Sequence, residues 1–271
     1  PVLPEIKNHT YVNYDAERNV YIYKRERYSL TLRAVDTYGG IISEIETSCG
    51  VGKTAVIIPE EYDYFTYEAT TVEGNTLTLR ETDLVLRGLT IDQKPLKDHM
   101  EAVGHKEAFD YVCELVRDNI PISERVIKQI HYLVLADKKE DRGVYRRVPV
   151  RIMGAHHEPV QPYLIEPKME QLIRDFLESD ENIVTKLARF HIEFEGIHPF
   201  IDGNGRTGRL SMNLDLIRNG YPPINVKFTD RKRYYDAFDA YYKEDDAMPM
   251  IELIAEYISE RLDEYLAVLE N

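Results

Sequence analysis

The chain has 271 residues, of which 43% are hydrophobic and 30% are charged, a composition typical of one large or two small globular domains. Its 34 Lys and Arg residues against 48 Asp and Glu residues give a formal net charge of −14, which argues against nucleic acid or an anionic membrane as a partner. No apolar run approaches the roughly 18–20 residues of a membrane span, residues 1–18 lack a secretory signal pattern, and two cysteines cannot form a disulfide framework. We therefore expect a cytoplasmic location.

The N-terminal segment has the pattern of β-strands. Residues 20–23 and 28–32 are rich in β-branched and aromatic side chains and partly alternate in polarity. Glycines at positions 39, 40, 50 and 52 are typical of turns between strands. The pattern becomes helical from Glu60 onward, so the sequence predicts a β-rich segment over 1–60 and a helical domain over 61–271.

Helical periodicity continues to the C-terminus. Ser123 is a candidate N-cap, and the last predicted helix spaces its apolar residues by three or four positions. Besides a short apolar-periodic stretch at 83–88, the helices are predicted at about 96–119, 123–135, 167–178, 182–197, 206–219, 230–242 and 249–269.

One stretch between these helices alternates instead. Tyr145–Gly154 places Val148, Val150 and Ile152 at every second position, which predicts a strand or hairpin. Pro149 indicates that the strand lies at an exposed edge, because proline cannot donate a ladder hydrogen bond.

The segment His198–Arg209, with the sequence HPFIDGNGRTGR, carries the chemistry. Gly203, Asn204 and Gly205 can adopt positive φ, so that successive backbone N–H groups point into one concavity. The following helix adds its N-terminal N–H groups and its dipole. This arrangement predicts a cradle for an anion.

Charged side chains are placed around this cradle. Arg206 and Arg209 fall on one helix face, where each guanidinium can hold a phosphate through two hydrogen bonds. Asp202 can supply a carboxylate oxygen to the Mg²⁺ that accompanies a polyphosphate. His198 is placed to take a proton from a hydroxyl near neutral pH. Together these residues predict phosphoryl or nucleotidyl transfer.

The same segment matches the Fic motif, H-x-F-x-[D/E]-G-N-G-R-x-x-R, at every specified position, and the chain resembles this family over about residues 60–265. The resemblance implies a mainly α fold, a Fic-type helical bundle with a β-hairpin flap. It also implies transfer of AMP from ATP to a Ser, Thr or Tyr hydroxyl of a target protein, with release of pyrophosphate.

The resemblance assigns a role to each residue of the motif. His198 would be the general base, Asp202 would hold Mg²⁺ and Arg209 would meet the γ-phosphate. The other nucleotide-binding groups would be the Gly203 and Gly205 backbones, Asn204 and Arg206. Related toxins of the Doc type carry lysine at the second glycine and phosphorylate their targets, so Gly205 favours AMP transfer.

A second family feature lies upstream. Residues 69–75, ATTVEGN, resemble the inhibitory motif [S/T]-x-x-x-E-[G/N] found on a helix, here near 61–74. By this resemblance Glu73 would pair with Arg209 and displace the γ-phosphate, since the carboxylate neutralises the arginine that the substrate needs. Ala69 departs from the motif and removes a hydroxyl whose hydrogen bond would be worth about 1 kcal/mol.

The resemblance also indicates how the substrates are held. The Tyr145–Gly154 flap, with Val148, Val150 and Ile152, would pair with an extended stretch of the target. Adenine would contact the aromatic side chains that α-helical spacing places on one face, although such a pattern more often belongs to a helix core. These candidates are Tyr235, Phe238 and Tyr242.

Two other functions compete with AMP transfer. One is removal of AMP from a modified protein by the same site, and the other is a nucleotide-binding regulatory module with residual activity. A DNA-binding regulator is disfavoured, because no helix-turn-helix pattern follows Arg209 and the last helix is acidic. Family habit suggests a homodimer, and residues 1–60 would dock a partner or extend the helical domain.

Overall fold

Nine α-helices make up most of the part of the chain that the computed structural model describes, residues 10–15, 20–25, 29–35, 41–48, 61–152 and 157–270. The helices are α1 (Glu61–Thr71), α2 (Leu79–Leu86), α3 (Leu96–Arg117), α4 (Glu124–Val134), α5 (Ile165–Glu178), α6 (Ile183–Ile197), α7 (Asn204–Arg218), α8 (Arg231–Glu244) and α9 (Met248–Glu270). Short 3₁₀ turns at Pro162–Leu164 and Phe228–Asp230 lead into α5 and α8. The prediction of a mainly helical fold is confirmed.

Four strands precede the helices: β1 (Thr10–Asp15), β2 (Val20–Arg25), β3 (Ser29–Val35) and β4 (Ile41–Ser48). They pair in chain order as an antiparallel meander, with Thr10 opposite Arg25 and with Ser29 opposite both Arg25 and Ser48. The residues that connect them lie outside the described part, so the β-rich segment as a unit and the domain boundary near 60 stay predictions.

Local side chains fix several helix starts. Thr78 and Glu81 form a capping box on α2, in which each side chain binds the other residue's backbone N–H. The predicted cap at Ser123 is confirmed, because its hydroxyl accepts a hydrogen bond from the Val126 N–H. Asn182 caps α6 in the same way. Each such cap stabilises its helix by about 1 kcal/mol.

The core is centred on α7, which packs against α3, α4 and α6. Because α7 is enclosed on nearly every face, its residues are buried whether they are apolar or charged. Phenylalanines from the surrounding segments fill the space, and full burial of each stabilises the fold by roughly 1.5–3 kcal/mol. Phe109, Phe190, Phe194 and Phe200 are among the largest of these buried side chains. None of the described helices combines the length and the apolar character needed to cross a membrane.

The stretch predicted as a flap strand is built differently. Residues 145–152 form no strand, and residues 153–154 lie outside the described part. The Arg146 guanidinium holds this segment in place of a β-ladder, by donating to the carbonyls of Val148, Val160, Ile197 and His198. The Arg146 backbone N–H adds one bond to the Pro199 carbonyl at 2.9 Å. The strand prediction is therefore wrong for residues 145–152, where alternating polarity occurs without a β-ladder.

Candidate active site

The turn between α6 and α7 positions the motif. His198 ends α6 in the left-handed conformation, with φ 49° and ψ 61°, and its N–H still donates to the Phe194 carbonyl at 2.9 Å. Gly203 is also left-handed, with φ 76°, where a residue with a Cβ is disfavoured. These two left-handed residues turn the chain so that the N-terminus of α7 and His198 line the same cleft.

Asn204 closes this turn. Its side-chain oxygen accepts from the Phe200 N–H, and its side-chain nitrogen donates to the Phe200 carbonyl, both at 2.9 Å. The side chain is 2% exposed. Its amide therefore shapes the loop, and the contact that Asn204 offers a ligand in this geometry is its backbone N–H at the start of α7.

A cleft of about 510 Å³ opens above the turn. Most of the predicted site residues line it, but Val148, Val150 and Tyr242 are not among its lining residues. The lining residues predicted from the sequence are Glu73, Ile152, His198, Asp202, Gly203, Asn204, Gly205, Arg206, Arg209, Tyr235 and Phe238. The fold thus brings residues 73 and 152, the 198–209 motif and the aromatic side of α8 into one site.

The innermost contact is an ion pair between Glu73 and Arg209. Glu73 Oε1 lies 2.6 Å from Arg209 Nη2, which also donates to the Ala69 carbonyl at 3.2 Å. Burial alone would lower the pKa of Arg209, but the Glu73 carboxylate outweighs burial and raises it. The Glu73 carboxylate also lies directly against the start of α7, because a Cβ added to Gly205 would collide with Glu73 Oε1.

Arg206 meets a carboxylate that sequence reasoning missed. Glu101 Oε1 of α3 lies 3.4 Å from Arg206 Nη2, and Asp202 Oδ1 lies 3.7 Å from the same nitrogen. Glu101 Oε2 accepts from the side chain of Asn75, two residues after Glu73. Arg206 is 3% exposed, and its Nε and Nη1 have no hydrogen-bond partner among the described residues. Buried donors without partners are what an anion-binding site requires.

Asp202 stands at the edge of the cleft as an ionised carboxylate. Burial would raise the pKa of its carboxyl, but the Lys138 ammonium at 2.6 Å, Arg206 and the Gly203 N–H lower it. The described residues contain no cluster of three or more His, Cys, Asp or Glu side chains arranged for a metal. With Asp202 as its carboxylate ligand, the site fits Mg²⁺ that binds together with phosphate and water oxygens.

A second missed carboxylate, Glu195, lies beside His198. Glu195 Oε2 of α6 is 3.7 Å from His198 Nδ1, which has no hydrogen-bond partner among the described residues. Burial would raise the pKa of the Glu195 carboxyl, but His198, His191 and Arg209 lower it, so it is ionised. An acceptor on this side of the ring favours a proton on Nδ1 and leaves Nε2 free to act as a base.

The aromatic candidates on α8 separate into two groups. Tyr235 is 43% exposed and Phe238 is 7% exposed, and both line the cleft. Tyr242 instead donates from its hydroxyl to the Ile192 carbonyl, and its ring stacks on His157 at 3.9 Å. Periodicity places all three on one side of α8, but Tyr242 packs against α6 and does not line the cleft.

The side chain of His131 positions the loop that carries Asp202. Its Nδ1 accepts from the Gly143 N–H and its Nε2 donates to the Asp202 carbonyl, both at 2.9 Å. Its ring stacks on Phe200 at 3.7 Å. Burial lowers the pKa of His131 to about 4, which keeps the imidazole neutral. A buried histidine 71 residues from its partner in sequence gave no local signal of this role.

Comparison with known proteins agrees with this geometry. Residues 121–216 match the family model described as the Fic/DOC family. The protein adenylyltransferase Fic of Drosophila yakuba is 33% identical over 240 residues, which cover 87% of this chain and 48% of that protein. The protein adenylyltransferase Fic of Nematostella vectensis is 33% identical over 216 residues, which cover 78% of this chain and 50% of that protein.

The fold is also similar to a solved structure of this family. Residues 134–508 of Fic-1 from C. elegans superpose with a TM-score of 0.71 at 26% identity, covering 79% of this chain and 65% of that one. The chain thus contains a Fic/DOC family domain, matched over residues 121–216. It spans about half the length of the curated relatives that it matches.

Proposed function

We propose that this chain is a self-inhibited protein adenylyltransferase, which transfers AMP from ATP to a Ser, Thr or Tyr hydroxyl of a target protein. The observation that carries the proposal is one cleft holding a candidate base, His198, opposite two buried arginines, Arg206 and Arg209. A pure nucleotide-binding module has no need of the base. The relatives named as adenylyltransferases over 87% and 78% of this chain support the same chemistry.

In the proposed reaction the oxygen of the target hydroxyl attacks the α-phosphorus of ATP. The bond from that phosphorus to the bridging oxygen of pyrophosphate breaks, and pyrophosphate leaves with the electron pair. His198 Nε2 takes the proton of the hydroxyl, while the Glu195 carboxylate, 3.7 Å from Nδ1, stabilises the positive charge that the ring gains. The α7 N-terminus, Arg206 and Arg209 stabilise the negative charge on the phosphates.

Mg²⁺ would be held by Asp202 together with phosphate oxygens, where it supplies neutralisation of phosphate charge. Two features support this assignment: the Asp202 carboxyl lines the cleft, and its pKa is lowered by neighbouring cations. Adenine would lie against Tyr235 and Phe238, whose rings line the α8 side of the cleft.

Self-inhibition would come from Glu73. Its carboxylate occupies the Arg209 guanidinium that we assign to the γ-phosphate, at 2.6 Å. The backbone carbonyl of Ala69 accepts a hydrogen bond from the same guanidinium, a contact that does not depend on the side chain at position 69. ATP would then bind with its γ-phosphate displaced, until Glu73 moves.

The target would dock on the segment carrying Val148, Val150 and Ile152. Val148 is 52% exposed, and Ile152 lines the cleft beside His198. We propose that this segment pairs as a strand with an extended stretch of the target, and that the protein is a homodimer. The cytoplasmic location stays a prediction.

Labelled ATP tests the function. The Glu73→Gly variant with Mg²⁺ and a cell lysate should incorporate label from [α-³²P]ATP, and mass spectrometry should find an added AMP on a hydroxyl side chain. Label from [γ-³²P]ATP instead would identify phosphorylation. Binding of ATP without any covalent label would identify a binding module.

A further inference from the structure

We propose that Lys138 is a built-in counter-cation of Asp202, which a divalent cation has to displace when it binds with nucleotide. The inference rests on the proposed role of Asp202 as the metal-binding carboxylate. It assigns to Lys138 the control of how tightly that carboxylate binds a divalent cation.

Both oxygens of the Asp202 carboxylate are occupied by protein donors. Lys138 Nζ donates to Oδ2 at 2.6 Å, and the Gly203 N–H donates to Oδ1 at 2.7 Å. The Gly203 bond belongs to the turn and is fixed by the backbone. The oxygen that a cation can take over is therefore the one that Lys138 holds.

This pairing is set by the fold. Lys138 belongs to the loop after α4, and His131 joins that loop to the motif by accepting from the Gly143 N–H and donating to the Asp202 carbonyl. The ring of His131 is 0% exposed and stacked on Phe200. The two chain segments that carry Lys138 and Asp202 are thus held on opposite nitrogens of one buried imidazole.

Lys138 is also free to leave. Its side chain is 42% exposed, against 3% for Arg206, the other cation beside Asp202. Arg206 lies nearer to Glu101, at 3.4 Å, than to Asp202, at 3.7 Å. Without Lys138 the carboxylate keeps one backbone hydrogen bond and the 3.7 Å ion pair with Arg206, both through Oδ1, so Oδ2 is available to a divalent cation.

The test measures Mn²⁺ binding in the presence of ADP, using the electron paramagnetic resonance signal of free Mn²⁺. Lys138→Met should tighten Mn²⁺ binding by about 2- to 5-fold, the effect expected for an exposed ion pair. Lys139→Met, a matched change at an exposed lysine on the same loop, should leave the affinity unchanged. In an Asp202→Asn background, Lys138→Met should have no effect.

Three results would overturn the proposal. Equal affinity of wild type and Lys138→Met would show that the lysine does not compete. Weaker Mn²⁺ binding in Lys138→Met would make Lys138 a phosphate ligand instead. Absence of any Mn²⁺–ADP binding by the wild type would remove the metal role of Asp202, and with it this part of the proposed function. Unfolding curves of each variant establish that the fold is intact.

Discussion

Replacing Glu73 by Gln should raise AMP transfer and lower stability in the same variant. The change keeps the size of the side chain and removes its charge. Arg209 is 3% exposed and Glu73 31% exposed, with the two joined at 2.6 Å. A hydrogen bond to a charged group contributes about 1.5–3 kcal/mol, and partial exposure of Glu73 reduces this to about 1–2 kcal/mol. The free energy of unfolding should fall by that amount.

The free energy of the ion pair between Glu73 and Arg209 also sets the expected gain in the rate of AMP transfer. In the proposed mechanism a γ-phosphate has to displace the Glu73 carboxylate from Arg209 in the wild type, and in the variant it would meet only a neutral amide. About 1–2 kcal/mol corresponds to a factor of roughly 5–30 in an equilibrium constant. We expect the initial rate of AMP transfer at subsaturating ATP to rise by a factor in that range.

The assay pairs urea denaturation with initial rates of AMP incorporation. Glu107→Gln is the control, because it removes a carboxylate exposed on α3 at a distance from the cleft lining. Unchanged incorporation in Glu73→Gln, with the expected loss of stability, would show that the ion pair is structural and not inhibitory. A gain in both stability and rate would contradict the assigned contact.

The remaining predictions concern groups that position the site. Arg146→Lys should lower the free energy of unfolding by about 2 kcal/mol or more and reduce AMP transfer, because one ammonium cannot replace a guanidinium that donates to four carbonyls. Urea denaturation measures the first effect and AMP labelling the second. A fully active variant would contradict this role of Arg146. Burial lowers the pKa of His131 to about 4 from an ordinary 6.5, so the unfolded chain binds the extra proton first as pH falls. The stability from this group is present above pH 6.5 and is lost as pH falls toward 4, by about 2 kcal/mol at pH 5. Urea denaturation at pH 7 and pH 5 should show a smaller difference for His131→Asn than for the wild type, and an equal difference would refute the assignment.

The loop of the site was predictable because its functional residues are contiguous in the sequence. Residues 198–209 carry their own turn residues and the helix start that follows, so local conformation alone places the cradle at the α7 N-terminus. The local pattern at residues 69–74 does not contain the partner of Glu73, so its pairing with Arg209, 136 residues away, was predicted from the family resemblance alone, and the structure has that contact. The helices were predicted to within a few residues, since their periodicity and caps are local.

What sequence reasoning missed depends on contacts between distant segments. Glu101, Lys138 and Glu195 are ordinary charged residues in their own helices or loops, and only packing brings them to the motif. The strand predicted at Tyr145–Gly154 is wrong for residues 145–152 for the same reason. Its alternation was real, but the Arg146 guanidinium ties this segment to the carbonyls of Val160 and Ile197, and the segment does not pair with a neighbouring strand among the described residues.

The central claim is that His198 activates a hydroxyl for attack on the α-phosphorus of ATP. The direct measurement compares Glu73→Gln with the double variant Glu73→Gln/His198→Ala, each incubated with [α-³²P]ATP or [γ-³²P]ATP, Mg²⁺ and lysate. We predict label from the α-position only, and its loss in the double variant while ATP binding is retained. Label from the γ-position, or equal α-label in the double variant, would contradict the mechanism.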